Sequence, residues 1–181
     1  MSAPCLFEDD YDLPIPGGPV THHPMVTSSP AAPDPASETD VTKALRALQP
    51  YLSRSQWLAL SAAMRGEEGQ FFGDKAMELA NIVETMPATY GQDGKGEDET
   101  IVYLHYFLGD CHWFITEKDV EDGVSQAFGF AVLHGDLVCA ELGYISIAEL
   151  VETGVGAEMD FYFTPKPLSR IREEMEVRYG P

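Results

Sequence analysis

The hydrophobic periodicity of this chain changes once, near Thr100, and that change fixes the order of its elements. Before it, apolar residues recur at helical spacing; after it, they run in short blocks rich in β-branched and aromatic residues. Asp40 is placed to cap a short helix ending at Leu48, since Pro50 pushes Gln49 toward extended geometry. Ser53 with Gln56 forms a capping-box pattern for a second helix, in which Leu52, Trp57, Leu60 and Met64 recur before Gly66. A third is expected to begin near Asp74, to bury Met77, Ile82, Val83 and Met86, and to close at Pro87.

From Thr100 the run TIVYLHYFL reads as one strand, and the turn pair Gly109-Asp110 leads into CHWFIT, which completes a hairpin. QAFGFAVLHG and LVCAELGYISI read as two further strands joined at Gly135 and Asp136, giving an antiparallel meander. Ser146 caps a short helix over 147–151, EMDFYF is a last strand, and TPKPLSRIREEMEVRYG is a closing helix. In the first strand both alternating sets are apolar, so it is expected to be central and covered on both sides. Helices, then a meander, then a helix describe an α+β domain, with N-terminal helices and a C-terminal helix packed on one face of an antiparallel sheet.

With 181 residues the chain has room for one domain over residues 43–181, preceded by an acidic, proline-rich tail over 1–42. The tail holds seven acids, eight of the thirteen prolines and no Lys or Arg, and too few large apolar residues to offset the entropy of ordering it. Leu6, Phe7, Tyr11, Leu13 and Ile15, set among Glu8, Asp9, Asp10 and Asp12, are a segment suited to ordering in a partner's groove. Cys5, Cys111 and Cys139 match neither a disulfide framework nor paired metal-ligand loops, and the opening residues lack the basic start and apolar core of an export signal. No run approaches the roughly 18 apolar residues of a bilayer span, so a cytoplasmic protein with no membrane contact is expected.

Thirty acids against eleven bases give a net charge of −19, which repels phosphate backbones and disfavours direct nucleic-acid binding. The asymmetry is local: residues 100–163 hold eleven acids and one base, Lys118, whereas 164–181 carry four bases and three acids. Glu117, Asp119, Glu121 and Asp122 sit on one connection, and Glu149, Glu152, Glu158 and Asp160 lie around the short helix and the last strand. If they share a face they present phosphate-like charge to a basic protein partner, with Trp113 and Tyr144 as anchoring contacts if exposed. A solvated acidic surface is the plainer interpretation of the same residues.

The blocks WFITEKD from Trp113, GF at Gly129, ELGYISIAEL from Glu141 and EMDFYFTPKPLSRI from Glu158 resemble an uncharacterised bacterial family, domain of unknown function 2958. The resemblance spans residues 113–171, and rests on the Trp, the Thr-Glu-x-Asp turn, Glu-Leu-Gly-Tyr and the final Asp-x-x-Phe. It implies a setting on plasmids, integrating elements or phages, and it lends no catalytic residues.

The other class of function is an enzyme or small-ligand binder whose cleft gathers His105, Glu117, Glu141 and Asp160, since crowded carboxyls can supply an acid and a base. Against it, Glu141 and Asp160 suit backbone donors at turns and strand ends. His105, Cys111, His112, His134 and Cys139 lack the close pairing of a zinc site, so no metal or cofactor is expected. GQDGKG, from Gly91, has no Ser or Thr after Lys95 and is a loop rather than a phosphate cradle. Trp113, Phe114, Phe128, Phe130, Tyr144, Phe161 and Phe163 are expected in the core, because a base-stacking platform needs a basic groove.

Overall fold

The structure, a computed structural model, describes residues 35–152 and 156–180. The segment proposed above to order on a partner lies outside the described residues. Helix α1 spans Pro35–Leu48, so the expected boundary at residue 42 falls within it. It starts ahead of Asp40, at a proline whose missing N–H costs nothing in a first turn. A single 3-10 turn, Gln49–Tyr51, leads to α2, Arg54–Ala63, whose cap Ser53 accepts the Gln56 N–H at 3.2 Å as expected. Helix α3 runs Gly69–Thr85 and therefore begins before Asp74. Gly69 makes the earlier start possible: a Cβ there would sit 2.3 Å from the Met64 carbonyl oxygen, so only glycine allows so tight a connection.

The strand region forms two antiparallel sheets. Strands β2 (Leu104–Leu108), β3 (Cys111–Glu117), β4 (Ala127–Val132) and β5 (Glu141–Ile145) form the meander. After α4 (Ile147–Val151) the chain returns to add β6 (Glu158–Met159) beside β2, giving the order β5-β4-β3-β2-β6. The expected first strand divides at Tyr103: β1 (Ile101–Val102) pairs instead with β7 (Lys166–Pro167), just before α5 (Leu168–Tyr179). EMDFYF extends only as far as β6, because Asp160 turns the chain, accepting Tyr162 N–H on its side chain at 3.0 Å and Phe163 N–H on its carbonyl at 3.2 Å. The strand expected from Leu137 begins only at Glu141, because Asp136 folds the preceding loop onto its own carboxylate through Val138 N–H at 2.9 Å.

Helices cover the five-stranded sheet on both faces rather than on one. Leu104, Tyr106, Ile115, Ala127 and Ile145 pack with Leu48, Leu60, Leu79 and Val83 of α1–α3. Phe114, Phe130 and Val132, pointing the other way by the two-residue period, pack with Leu168, Ile171 and Met175 of α5. The first-strand expectation of double cover therefore holds for β2. Tyr106 is wholly buried, and its hydroxyl donates to the Tyr51 carbonyl at 2.9 Å; burial pushes its pKa well above the usual phenol value.

Two glutamines act as pieces of strand. Gln56 of α2 reaches the outer edge of β6, donating to the Met159 carbonyl at 2.8 Å and accepting its N–H at 2.9 Å. Gln92, buried, accepts Ile101 N–H at 2.8 Å and donates to the Ile101 and Thr116 carbonyls at 2.9 and 3.0 Å. A primary amide carries both a donor and an acceptor, so it can complete a ladder where no strand is available. The β6 edge is thus sealed, while β5 forms the opposite edge of the sheet.

Candidate functional site

Glu117 ends β3 at a shift of register between Ile115 and Glu117, a bulge that re-aims its side chain. It is 4% exposed. One carboxylate oxygen accepts Tyr90 N–H at 2.9 Å and the other accepts Gln92 N–H at 2.5 Å. These bonds hold Tyr90 at φ 73°, a left-handed conformation that costs a bulky residue about 1–3 kcal/mol. Strain of this kind concentrates at functional sites.

The strained Tyr90 faces Tyr144 of β5, their hydroxyl oxygens 2.7 Å apart, and both rings are exposed. Tyr144 stands edge-on to Phe128 of β4, with centroids 5.6 Å apart and planes at 79°. The three rings, with Thr89, Asp93 and Glu117, enclose a pocket of about 50 Å³. The pKa of Tyr144 is raised, first by its bond to the Tyr90 hydroxyl, then by burial, and also by the negative charges of Asp93 and Glu117. The corner is therefore aromatic, open to solvent and electronegative.

Sequence reasoning placed eight acids in a partner-binding set, and the fold gives them different roles. Glu117 organises the Tyr90 loop. Asp119, also buried, accepts Glu121 and Gln126 N–H groups, each at 3.2 Å, and so shapes the β3–β4 loop. Asp122 accepts Val124 and Ser125 N–H at 2.8 Å and the Ser125 hydroxyl; the Ser125 bonds, with Val124's, hold its carboxyl well below the usual range. Glu121, Glu149, Glu152 and Glu158 are exposed, and none is ion-paired with a described residue. Lys118 does not neutralise them: its ammonium donates to the Val83 and Glu84 carbonyls, at 2.8 Å each, in the last turn of α3. The α5 region uses its own cations locally, in Lys166–Glu174, Arg170–Glu173 and Arg172–Glu97 pairs. Trp113 is half-buried against the α1–α3 core, so of the two expected anchors Tyr144 alone is exposed, outside the core where its aromatic character also placed it.

The four groups of the alternative cleft are not gathered. His105 and Asp160 meet, Nδ1 to carboxylate oxygen, at 3.3 Å. Glu117 lies at the Tyr90 corner, and Glu141 is exposed on β5, at the sheet edge opposite β6 and Asp160.

What His105 joins instead is a hydrogen-bonded line that sequence spacing did not predict. His105 Nε2 lies 3.0 Å from His112 Nδ1, His112 Nε2 lies 2.8 Å from the Tyr179 hydroxyl, and Tyr179 lies 3.2 Å from an Asp110 carboxylate oxygen. The Tyr179 hydroxyl donates to the Asp110 carboxylate, so His112 Nε2–H donates to the Tyr179 oxygen and, with His112 neutral, its Nδ1 accepts from His105 Nε2–H. Burial lowers both histidine pKa values, against the opposing pull of Asp160 on His105; His112 falls to about 4, pushed further by His105 and Arg178. The only sequence signal was the pairing register, which sets Phe107 opposite His112 and His105 opposite Phe114 on the same face. His105 stacks on Phe114 at 4.6 Å, which fixes its ring plane. Among the described residues no group of three or more His, Cys, Asp or Glu side chains is placed to hold a metal ion.

An acidic α+β domain with a doubly covered antiparallel sheet and an exposed, electronegative aromatic corner is the class that fold and site define. The chain belongs to the family described as Protein of unknown function (DUF2958), whose pattern matches residues 76–175, more than half of its length. That span takes in the Tyr90 corner and both histidines, and extends the resemblance seen in sequence toward the N-terminus. No curated protein and no solved structure matches the chain. No helix among the described residues is long and apolar enough to cross a membrane.

Proposed function

We propose that the chain is an acidic protein-interaction module whose partner is a basic protein, in the setting of a plasmid, integrating element or phage. The observation that carries this reading is the exposure of Glu121, Glu149, Glu152 and Glu158, none of them ion-paired with a described residue. Exposed carboxylates without counter-charges attract a cationic surface at long range and raise its rate of encounter. A protein that grips DNA offers such a surface, and occupying it would occlude the nucleic acid. Glu117, Asp119 and Asp122 contribute field and hold the loops, and Asp160 is engaged with His105.

The test is a capture from cells at low and at high salt, followed by association kinetics on what is retained. A basic protein held at low salt and released at high salt is expected. Reversing Glu121, Glu149 and Glu152 to Lys should slow association by about tenfold or more and flatten its salt dependence. Association with unchanged salt dependence in that variant would remove the proposal.

A further inference from the structure

The Tyr90 corner has features that a merely acidic surface does not need. A residue with a bulky side chain is held at positive φ by a buried carboxylate, and the outcome is that its ring closes a pocket against Phe128 and Tyr144. The lining combines three aromatic rings with the carboxylates of Asp93 and Glu117, and carries no base. Ring faces and carboxylates share one preference, for a cation, and cages of this composition recognise ammonium groups. Each Glu117 oxygen has accepted one backbone donor and retains capacity for another. The tyrosine hydroxyls add acceptors at the rim.

The chemistry of the lining narrows the ligand. The pocket, of about 50 Å³, has room for a small cationic head group. A primary ammonium on a slender alkyl chain is a compact point charge whose three donors the carboxylate and hydroxyl oxygens can accept, whereas a guanidinium is best held by a bidentate carboxylate, and both Glu117 oxygens already hold a backbone N–H. We propose that this pocket binds the side-chain ammonium of a lysine presented by the partner. The proposal rests on the reading of the chain as a module for a basic protein, and it adds which cation is read and where.

The test uses the whole chain and small probes, so it needs no identified partner. N-acetyl-lysinamide, N-acetyl-argininamide and N-acetyl-norleucinamide are titrated separately while the ring signals of Tyr90, Phe128 and Tyr144 are followed by NMR. The lysine probe should give saturable shifts of these three rings in the millimolar range, as expected of a single small contact. The arginine probe should bind about tenfold more weakly or worse, and the norleucine probe, equal in alkyl length but uncharged, should leave the rings unmoved. Tyr144→Ala and Asp93→Asn, both at exposed positions, should each reduce the lysine response by about fivefold or more with the rest of the spectrum intact. No ring shift with the lysine probe, or equal shifts with the arginine or norleucine probe, would overturn the assignment. Either result would leave the salt-dependent capture standing, because that experiment reads Glu121, Glu149 and Glu152 in a complex of whole proteins.

Discussion

At Glu117 a carboxylate that reads in sequence as one of several surface acids is buried and bonded to two backbone donors of a distant loop. Removing it leaves Tyr90 and Gln92 N–H groups without an acceptor and lets Tyr90 relax from its strained φ. Glu117→Ala should therefore lose about 2–4 kcal/mol in urea unfolding, since bonds to charged groups are worth about 1.5–3 kcal/mol each and strain relief returns part of it. His112 calls for a pH measurement. Its folded pKa, about 4, lies below the unfolded value of 6.5, so between these limits the unfolded chain binds more protons. Stability from this residue is present above about pH 6.5 and is lost as pH falls toward about 4. His105, shifted the same way, adds to the slope. The unfolding free energy should fall by about 2 kcal/mol or more across this window, and His112→Gln should flatten the profile. An unchanged profile in that variant would show that His112 does not carry the effect.

At the scale of elements, the two glutamine clamps decide where the sheet ends. Gln56→Ala would strip both backbone partners from Met159, at a cost of about 1–3 kcal/mol, and hydrogen exchange at the Met159 amide should quicken while the β3–β4 ladder stays protected. The paired glycines Gly129 and Gly143 make a second contrast. A Cβ at Gly129 would meet the Phe114 carbonyl oxygen at 2.3 Å, whereas one at Gly143 would meet open space. Gly129→Ala should destabilise by about 1–3 kcal/mol, with Gly143→Ala within about 0.5 kcal/mol of wild type, both by thermal unfolding.

Elements whose signals are local were legible in the sequence. The Ser53 and Ser146 caps and the Gly109 turn appear where residue type alone placed them, because each is satisfied within a few residues. The start of α3 was missed because it depends on how closely Gly69 approaches Met64, and the end of EMDFYF because Asp160 competes for the backbone that the aromatic residues would extend. The glutamine clamps were invisible for a related reason: Gln56 lies 103 residues from its partner Met159, and a glutamine in a capping box is already accounted for locally. The Tyr90 corner likewise joins residues from a loop and three strands, of which Glu117 and Tyr144 were expected at a partner surface and Phe128 only in the core.

Over the whole molecule, the charge imbalance read from composition survives folding because eleven bases cannot offset thirty acids. Raising salt should therefore leave the fold as stable or slightly more so, since its described ion pairs are mostly exposed and worth little while screening eases repulsion among its acids, and should weaken any encounter that depends on the outer carboxylates. Comparing urea midpoints at low and high salt with capture at the same two salts would separate these effects; parallel loss of both would show that the acids act on the fold rather than on a partner.

One margin of the sheet is closed by an amide from α2, and the other, at β5, has no such closure among the described residues. Two copies meeting there would each find a ready template in the other, and like-charge repulsion between heavily anionic molecules opposes such stacking. As acid brings the protein toward its isoelectric point near 4.3, that guard disappears while the template remains, and light scattering should then register growing oligomers. Acidity, on this view, is as much a defence against siblings as an invitation to strangers.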